Sequence, residues 1–377
     1  MQEFSFSTRI FFGDRALDRL QRVRNRKVMV VTDDFLVTSG TVNHVVSHLS
    51  DCEVTVFSGV TPDPTIEVVA AGVKCLKDCQ AEVMMAVGGG SVIDAAKAIR
   101  SFANSQELAT TEIVECFAIP TTSGTGSEVT EYAVISDSAQ GVKYPLANRD
   151  MRPPTAILDP LLVVSAPPNV TADSGMDVLA HAIEAYVSKG ANDFSDALAE
   201  KSVELAVEFL PLAYKDGHDL LAREKMHNAS CMAGLAFNSA GLGLCHGISH
   251  AIGAKLHISH GRANAMVLPH IVQFNASGIN EHSVISAKKY RSLAKLLDMP
   301  APDTLSGVHQ LVCMLNSLNK TLDIPASLKV AKIDRSLISS VESDIIDAAL
   351  ADMTTDSNPI APTPEDIKNL LDRISGY

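Results

Sequence analysis

Residues 82–99 read EVMMAVGGGSVIDAAKAI, and their reading decides the fold. Glu82 to Val87 is an apolar run of strand length. Three glycines, Gly88, Gly89 and Gly90, then break the run. Beyond them, apolar residues at three- and four-residue spacing predict a helix from Val92 to about Phe102, with Ser91 as its cap. A strand without alternation is buried on both faces, which is the condition of a parallel sheet covered by helices. The glycines permit close approach of a ligand to the backbone. The free N–H groups and positive end of the helix form an anion site suited to the pyrophosphate of a dinucleotide.

Working outward, the same strand-then-helix rhythm recurs. Lys27 to Thr32 (KVMVVT) and Glu53 to Ser58 (EVTVFS) predict two strands, Ile66 to Cys79 a helix, and Cys116 to Pro120 (CFAIP) a further strand. That last strand runs into a second glycine-rich loop, PTTSGTGSE at 120–128, which carries five hydroxyls between Thr121 and Ser127. A glycine turn before a helix can be purely structural, but two such loops in one sheet point to a ligand. Asp33, at the end of the Lys27–Thr32 strand, is placed to accept from a ribose 2′-hydroxyl and to repel a 2′-phosphate; a capping role competes for the same residue. No G-x-G-x-x-G fingerprint follows this strand. After Leu158-Asp159-Pro160 the strand signals stop and helical periodicity takes over, as at 172–188, 194–213 and 222–237. The expectation is an α/β unit over residues 1–168 and an all-helical unit over 169–377, divided near Pro167-Pro168.

Composition narrows the function classes. A chain of 377 residues is long enough for two or three domains without disulfide staples. Its 31 Lys+Arg against 44 Asp+Glu give a net charge of −13, which argues against nucleic acid and anionic membranes as partners. No apolar run approaches the roughly 20 residues of a membrane-spanning helix. The opening MQEFSFSTRIFFG alternates and lacks a basic-then-apolar leader, so the expectation is a soluble cytoplasmic protein. Seven scattered cysteines predict reduced thiols without a role.

Histidine is unevenly spread: His246, His250, His257 and His260 fall within one short segment. Upstream, Asp177 and His181 stand four apart in the helical stretch GMDVLAHAIEAY, on one face and one turn apart. A lone pair of this kind is usually structural. Combined with clustered imidazoles, it predicts a divalent-metal site, because burying so many polar rings without a shared purpose is costly. Imidazole and carboxylate ligands suit iron or zinc. Spacing leaves two choices open, a His246/His250 pair or a His246/His260 pair.

Six motifs then carry a family resemblance: GGGS at 88–91, PTTSGTGSE at 120–128, KYPL at 143–146, ILDP at 157–160, TADSGMDVLAHAIEAY at 171–186 and GLGLCHGISHAIGAKLHISHG at 241–261. In this order they resemble the iron-containing (group III) alcohol dehydrogenase family over nearly the whole chain. Within it, KYPLANRDMRPPTAILDP, SKGANDFSDALAEK and KMHNASCMAGLAFNSAGLGLCHGISHAIG resemble the 1-propanol dehydrogenases of propanediol-utilisation microcompartments. The resemblance implies a Rossmann-like parallel-sheet domain followed by an all-helical domain, the dehydroquinate synthase-like architecture. It implies Asp177, His181, His246 and His260 as ligands of Fe2+, with Zn2+ the alternative, and His250 as a non-ligand beside them. It also implies that Asp33, Gly88, Gly89, Gly90, Ser91, Thr121, Thr122, Thr125 and Lys143 face NAD.

The activity implied is NAD(H)-linked interconversion of short-chain primary alcohols and aldehydes, propionaldehyde and 1-propanol foremost. The metal would act as a Lewis acid, and His250, able to exchange a proton near neutral pH, is the candidate relay. A homodimer or larger assembly is implied, with microcompartment shell or enzyme partners as candidates. Two rivals remain on the sequence: an NAD- and metal-dependent lyase resembling dehydroquinate synthase, and a catalytically silent NAD-binding microcompartment partner.

Overall fold

The computed structural model describes residues 3–105, 115–138, 142–278 and 281–377. It divides into two compact units, Glu3–Ala166 and Pro167–Tyr377. The first holds, in chain order, β1 (Arg9–Phe12), β2 (Lys27–Val31), α1 (Asp34–Thr38), α2 (Thr41–Val46), β3 (Glu53–Phe57), α3 (Ile66–Cys79), β4 (Val83–Gly88), α4 (Gly90–Ser105), β5 (Glu115–Pro120), β6 (Tyr132–Asp137), β7 (Val142–Ala147) and β8 (Thr155–Leu158). Six strands form one parallel sheet in the order β1-β8-β5-β4-β2-β3, and β6 pairs with β7 in a separate antiparallel ribbon.

The pleat sorts the apolar strands into two cores. Val28, Val30, Val83, Met85, Val87, Phe117 and Ile119 pack on one face against Leu36, Val42 and Val45 of α1 and α2. Met29, Val31, Met84, Ala86, Cys116 and Ala118 pack on the other against Val73 and Leu76 of α3 and Ala95, Ala96 and Ile99 of α4. Both faces are therefore dry, which is why these strands show no polar alternation. The Rossmann-like parallel sheet matches the sequence expectation. After β3 the chain crosses to the other side of β2 to lay down β4, so the strand order reverses between β2 and β4. Ligands of open α/β sheets bind outside the carboxyl ends at such a point. The segments following β2, β4 and β5 lie on that edge, tied together by Thr32 Oγ1 donating to Val87 O at 2.8 Å and Thr121 N to Gly88 O at 3.1 Å.

Helix α3 spans Ile66–Cys79 as the periodicity predicts. Helix α4 starts earlier than expected, at Gly90, because Gly89 O already accepts from the Val92 and Ile93 N–H groups. Ser91 therefore lies inside the first turn and is not the cap. Strand β8 and the β6–β7 ribbon have no counterpart in the sequence reading.

Helix α4 also carries a buried cation. Lys97 Nζ donates to Ser127 Oγ (2.7 Å), Thr130 Oγ1 (3.1 Å) and Tyr132 O (2.8 Å), anchoring the segment that links the second loop to β6. Burial pulls the Lys97 ammonium down to about 8, against the opposing pull of Asp94 and Glu128. Glu128, 2% exposed, is pushed up by burial to about 7 from a usual 4.5, its own backbone hydrogen bond and Lys97 offsetting only part of that push. The folded protein thus keeps a proton on Glu128 between about pH 4.5 and 7 that the unfolded chain releases, and stability falls as pH rises through that window. Glu128→Gln is expected to match wild type at pH 5 and to lead it at pH 8 by about 2 kcal/mol, a gain of several degrees in Tm. Thermal denaturation at the two pH values checks this; a constant difference between them would contradict it.

The second unit is entirely helical among the described residues: α5 (Pro168–Val187), α6 (Asp193–Lys215), α7 (Leu220–Ala240), α8 (Leu244–Leu256), α9 (His260–Ala276), α10 (Glu281–Leu296), α11 (Thr304–Thr321), α12 (Arg335–Ala351) and α13 (Pro364–Ser375). Pro167 and Pro168 start α5, where a missing N–H and a fixed φ do no harm. From Gly175 to Val187 every residue of α5 is buried, as expected of a helix surrounded by others, here α6, α7 and α9. No single helix among the described residues is long and apolar enough to cross a membrane.

Candidate metal centre and cofactor loops

Polar residues on a helix buried all round are costly unless partnered. Helix α5 places Asp177, His181 and Glu184 on one stripe, at 3%, 5% and 2% exposure. Helix α8 supplies His246 from its first turn, and α9 supplies His260 as its first residue. One ligand atom from each of Asp177, His181, His246 and His260 lies within 4.8 Å of the others. His260 Nε2 stands 3.3 Å and His246 Nε2 3.7 Å from Asp177 Oδ1, and His181 Nδ1 stands 3.9 Å from Asp177 Oδ2. Donors about 2.1 Å from a shared tetrahedral ion stand about 3.4 Å apart. The three separations surround that value, so the residues fit a single divalent ion.

Electrostatics agree with the spacing. Burial alone would raise the Asp177 carboxyl, but His181 and His260 and the hydrogen bonds of His246 and His260 hold it well below the usual range. Burial would lower His246, yet hydrogen bonds to Asp177 and Glu184 lift it to about 9. Both shifts report a pocket that attracts positive charge. The ring of His181 is fixed by stacking between Phe237 and His246, each 4.6 Å away centroid to centroid.

Two buried residues at this centre escaped the sequence reading. Asn264 Nδ2 donates to Asp177 Oδ1 at 2.7 Å and lies 3.2 Å from both His246 Nε2 and His260 Nε2. Its signal was present: it follows His260 by four residues, the spacing that singled out Asp177 and His181. Glu184 Oε2 lies 2.5 Å from His246 Nδ1. It follows Asp177 by seven residues on the same stripe.

The remaining histidines separate. His257 adopts a left-handed φ of 55° and ends α8, a structural position. His250 stands beside the centre: its ring stacks on His260 at 5.1 Å, and its Nδ1 lies 2.8 Å from Asp352 Oδ2. Burial works against charge on Asp352, but hydrogen bonds from His250 and Thr354 outweigh it and keep the carboxyl ionised well below the ordinary range. The His250 side chain is 43% exposed.

In the first unit the two glycine-rich loops pack on each other. A Cβ at Gly89 would stand 3.3 Å from Thr122 Oγ1, and one at Gly90 only 2.7 Å from Thr125 Cγ2. The second loop thus packs Thr125 tightly against Gly90 and Thr122 more loosely against Gly89 at the start of α4. Thr121 is buried, and Ser91 is half-buried in the first turn of α4. Asp33 is the N-cap of α1, its Oδ1 accepting from Leu36 N–H at 2.8 Å. The capping role is thus present in the structure. Lys143 lies on β7, its Nζ 2.6 Å from Asp63 Oδ1 in an exposed pair.

The match to known proteins runs through both units. Residues 7–160 match the family model described as iron-containing alcohol dehydrogenase, and 171–375 match the C-terminal model of the same family. The 1-propanol dehydrogenase PduQ of Citrobacter freundii is 42% identical over 99% of this chain and 100% of its own length. An iron-containing alcohol dehydrogenase structure from Thermococcus thioreducens superposes with a TM-score of 0.89 at 32% identity, covering 99% of each chain. A sulfoacetaldehyde reductase from Bifidobacterium kashiwanohense, solved in complex with NAD+, superposes with a TM-score of 0.87 at 27% identity, covering 100% of this chain and 99% of its own. With two family models spanning nearly the whole sequence and a four-residue donor set gathered on three helices, this chain belongs to the iron-containing alcohol dehydrogenase family, metal-dependent oxidoreductases of alcohols and aldehydes.

Proposed function

We propose that this protein is an NAD(H)-linked, iron-dependent alcohol dehydrogenase acting on short-chain primary alcohols and aldehydes, with 1-propanol and propionaldehyde as its preferred pair. The observation that carries the reading is the convergence of one carboxylate and three imidazoles. Asp177, His181, His246 and His260 would hold the ion, Fe2+ by family and Zn2+ as the alternative the same donors accept. A divalent ion there supplies Lewis acidity at the substrate oxygen, easing ionisation of an alcohol or polarising an aldehyde carbonyl. The nicotinamide cofactor takes up or delivers the hydride.

The chain's own residues bind and orient. Backbone N–H groups at Gly89, Gly90 and Ser91, at the start of α4, receive the pyrophosphate. Thr121, Thr122 and Thr125 offer hydroxyls along the same edge, and Lys143 adds a cation. Asp33 disfavours a 2′-phosphate, so NAD is preferred over NADP. His250 moves a proton at Nε2, while Asp352 holds its Nδ1. The likeness to 1-propanol dehydrogenases supports the substrate, and the NAD+ complex of the sulfoacetaldehyde reductase supports the cofactor. A cytoplasmic setting within a propanediol-utilisation microcompartment, and a homodimer or larger assembly, belong to the same proposal and rest on the same likeness.

Protein reconstituted anaerobically with Fe2+ is expected to oxidise NADH when given propionaldehyde, with a higher kcat/KM than for NADPH. Chelation of the metal should abolish turnover. If the metal-replete protein turns over no C2 to C4 aldehyde, the reading fails. Equal kcat/KM for the two cofactors would remove the role of Asp33.

A further inference from the structure

At the start of α8, three N–H groups have no partner within their own helix, and the N-cap residue, Gly243, has no side chain to offer. Two side chains distant in sequence take its place. Asn358 Oδ1 accepts from Leu244 N–H at 3.1 Å, and Glu184 Oε1 accepts from Cys245 N–H at 2.6 Å. The second Glu184 oxygen lies 3.4 Å from His246 N and 2.5 Å from His246 Nδ1. A Cβ at residue 243 would come within 2.7 Å of both Asn358 Oδ1 and Glu184 Oε1, so only glycine lets the backbone close this far onto the carboxylate.

Glu184 and His246 are 2% and 1% exposed, out of reach of bulk water. The positive end of α8 and its N–H groups compensate the buried negative charge. An ionised carboxylate accepts hydrogen bonds and donates none. The imidazole nitrogen facing it must therefore carry the proton, because a bare lone pair would meet an oxygen lone pair at 2.5 Å. In the neutral ring, the form that binds a metal, that assignment leaves Nε2, the nitrogen beside Asp177 and His260, unprotonated and able to take a cation in place of a proton.

We propose that Glu184 is a positioning residue of the metal centre: it caps α8 from across the fold and, through the same carboxylate, keeps the His246 proton on Nδ1 so that Nε2 is presented to the metal. The inference rests on the metal-centre reading above. It links the helix that carries Asp177 and His181 to the helix that carries His246, so one group sets both the position and the protonation pattern of the third ligand. Glutamine at residue 184 could still accept from the helix, but its amide would place a donor or a neutral oxygen against His246 Nδ1 and release the tautomer.

The test is Zn2+ affinity of the chelator-stripped protein, measured by competition with a chromophoric chelator, with thermal denaturation of the metal-free form alongside. Glu184→Gln is expected to weaken Zn2+ binding about 10- to 100-fold while circular dichroism shows a folded protein. Co2+-loaded variant should show a visible absorption band altered from that of wild type. Should the variant not fold, long-range proton–nitrogen spectra of Zn2+-loaded wild type, labelled at histidine, read the His246 tautomer directly. Nδ1 carrying the proton is the expected result; Nδ1 bound to the ion would overturn the proposal. Zn2+ affinity within twofold of wild type in a folded Glu184→Gln protein would also overturn it and leave Glu184 as a helix cap alone. Wild-type protein that takes up no stoichiometric Zn2+ would instead bring down the metal-centre reading, and this inference with it.

Discussion

His260→Ala is expected to abolish stable metal binding and to lower kcat/KM for aldehyde reduction by about a thousandfold or more. A Lewis-acid metal contributes several kcal/mol at the transition state, and each 1.36 kcal/mol is about a factor of ten. His260 is the informative member of the proposed ligand set to remove because its side chain is 39% exposed and sits on the first residue of α9. Truncation there opens no sealed cavity, whereas loss of Asp177 would strand three imidazoles around a buried void. The folded protein should therefore survive, and the loss can be read as chemistry rather than unfolding. Metal content by mass spectrometry and propionaldehyde reduction with NADH check the result together. Full metal occupancy with undiminished turnover would show that the ligand set is wrong.

Gly261→Ala is expected to destabilise the helical unit by about 3 kcal/mol, lowering Tm by about 6–12 °C. A Cβ at this position would lie 2.0 Å from the carbonyl oxygen of Asp173 and 2.6 Å from its carbonyl carbon. Both are backbone atoms of α5, so no change of rotamer relieves the clash and the two helices must separate. Helix α5 carries Asp177 and His181, and His260 is the residue preceding Gly261. Separation thus pulls the proposed ligands apart, and metal affinity should fall with stability. Denaturation of the metal-free protein and a Zn2+ titration of the folded variant report the two effects. A Tm within a degree of wild type would contradict the close contact of α5 with α9.

The legible parts of this chain are those where burial imposes a local pattern. VMMAV and CFAI sit at the centre of the sheet, dry on both faces, and their uninterrupted apolar character announces it. The amphipathic run Ile66–Cys79 coincides with α3 because both of its ends carry local signals, Thr65 capping the first turn and Gln80 turning left-handed at the end. Strand β7 was not legible: all six residues of VKYPLA are exposed, so no buried face left a period of two. Strand β8 is only four residues long and is recognisable only by its neighbours, β1 and β5, which lie far away in the chain.

The site divides in the same way. Asp177 and His181 were visible as a pair because one turn of one helix joins them. Spacing alone left His250 and His260 equivalent and only the family resemblance named His260, since the two differ in where α8 ends and α9 begins; the left-handed turn at His257 reorients the chain between them. Glu184 and Asn264 act on partners 62 and 87 residues away, respectively. What the amino-acid order determined alone is the class of each segment, the division into a sheet unit and a helical unit, and the supply of metal-binding chemistry. Only the packed structure showed how closely those donors meet, which carboxylate oxygen faces His246 Nδ1, and that Thr122 and Thr125 pack beside the glycines at the start of α4. The reason is that period and burial act between neighbours along the chain, whereas convergence at one point depends on how three helices pack across it.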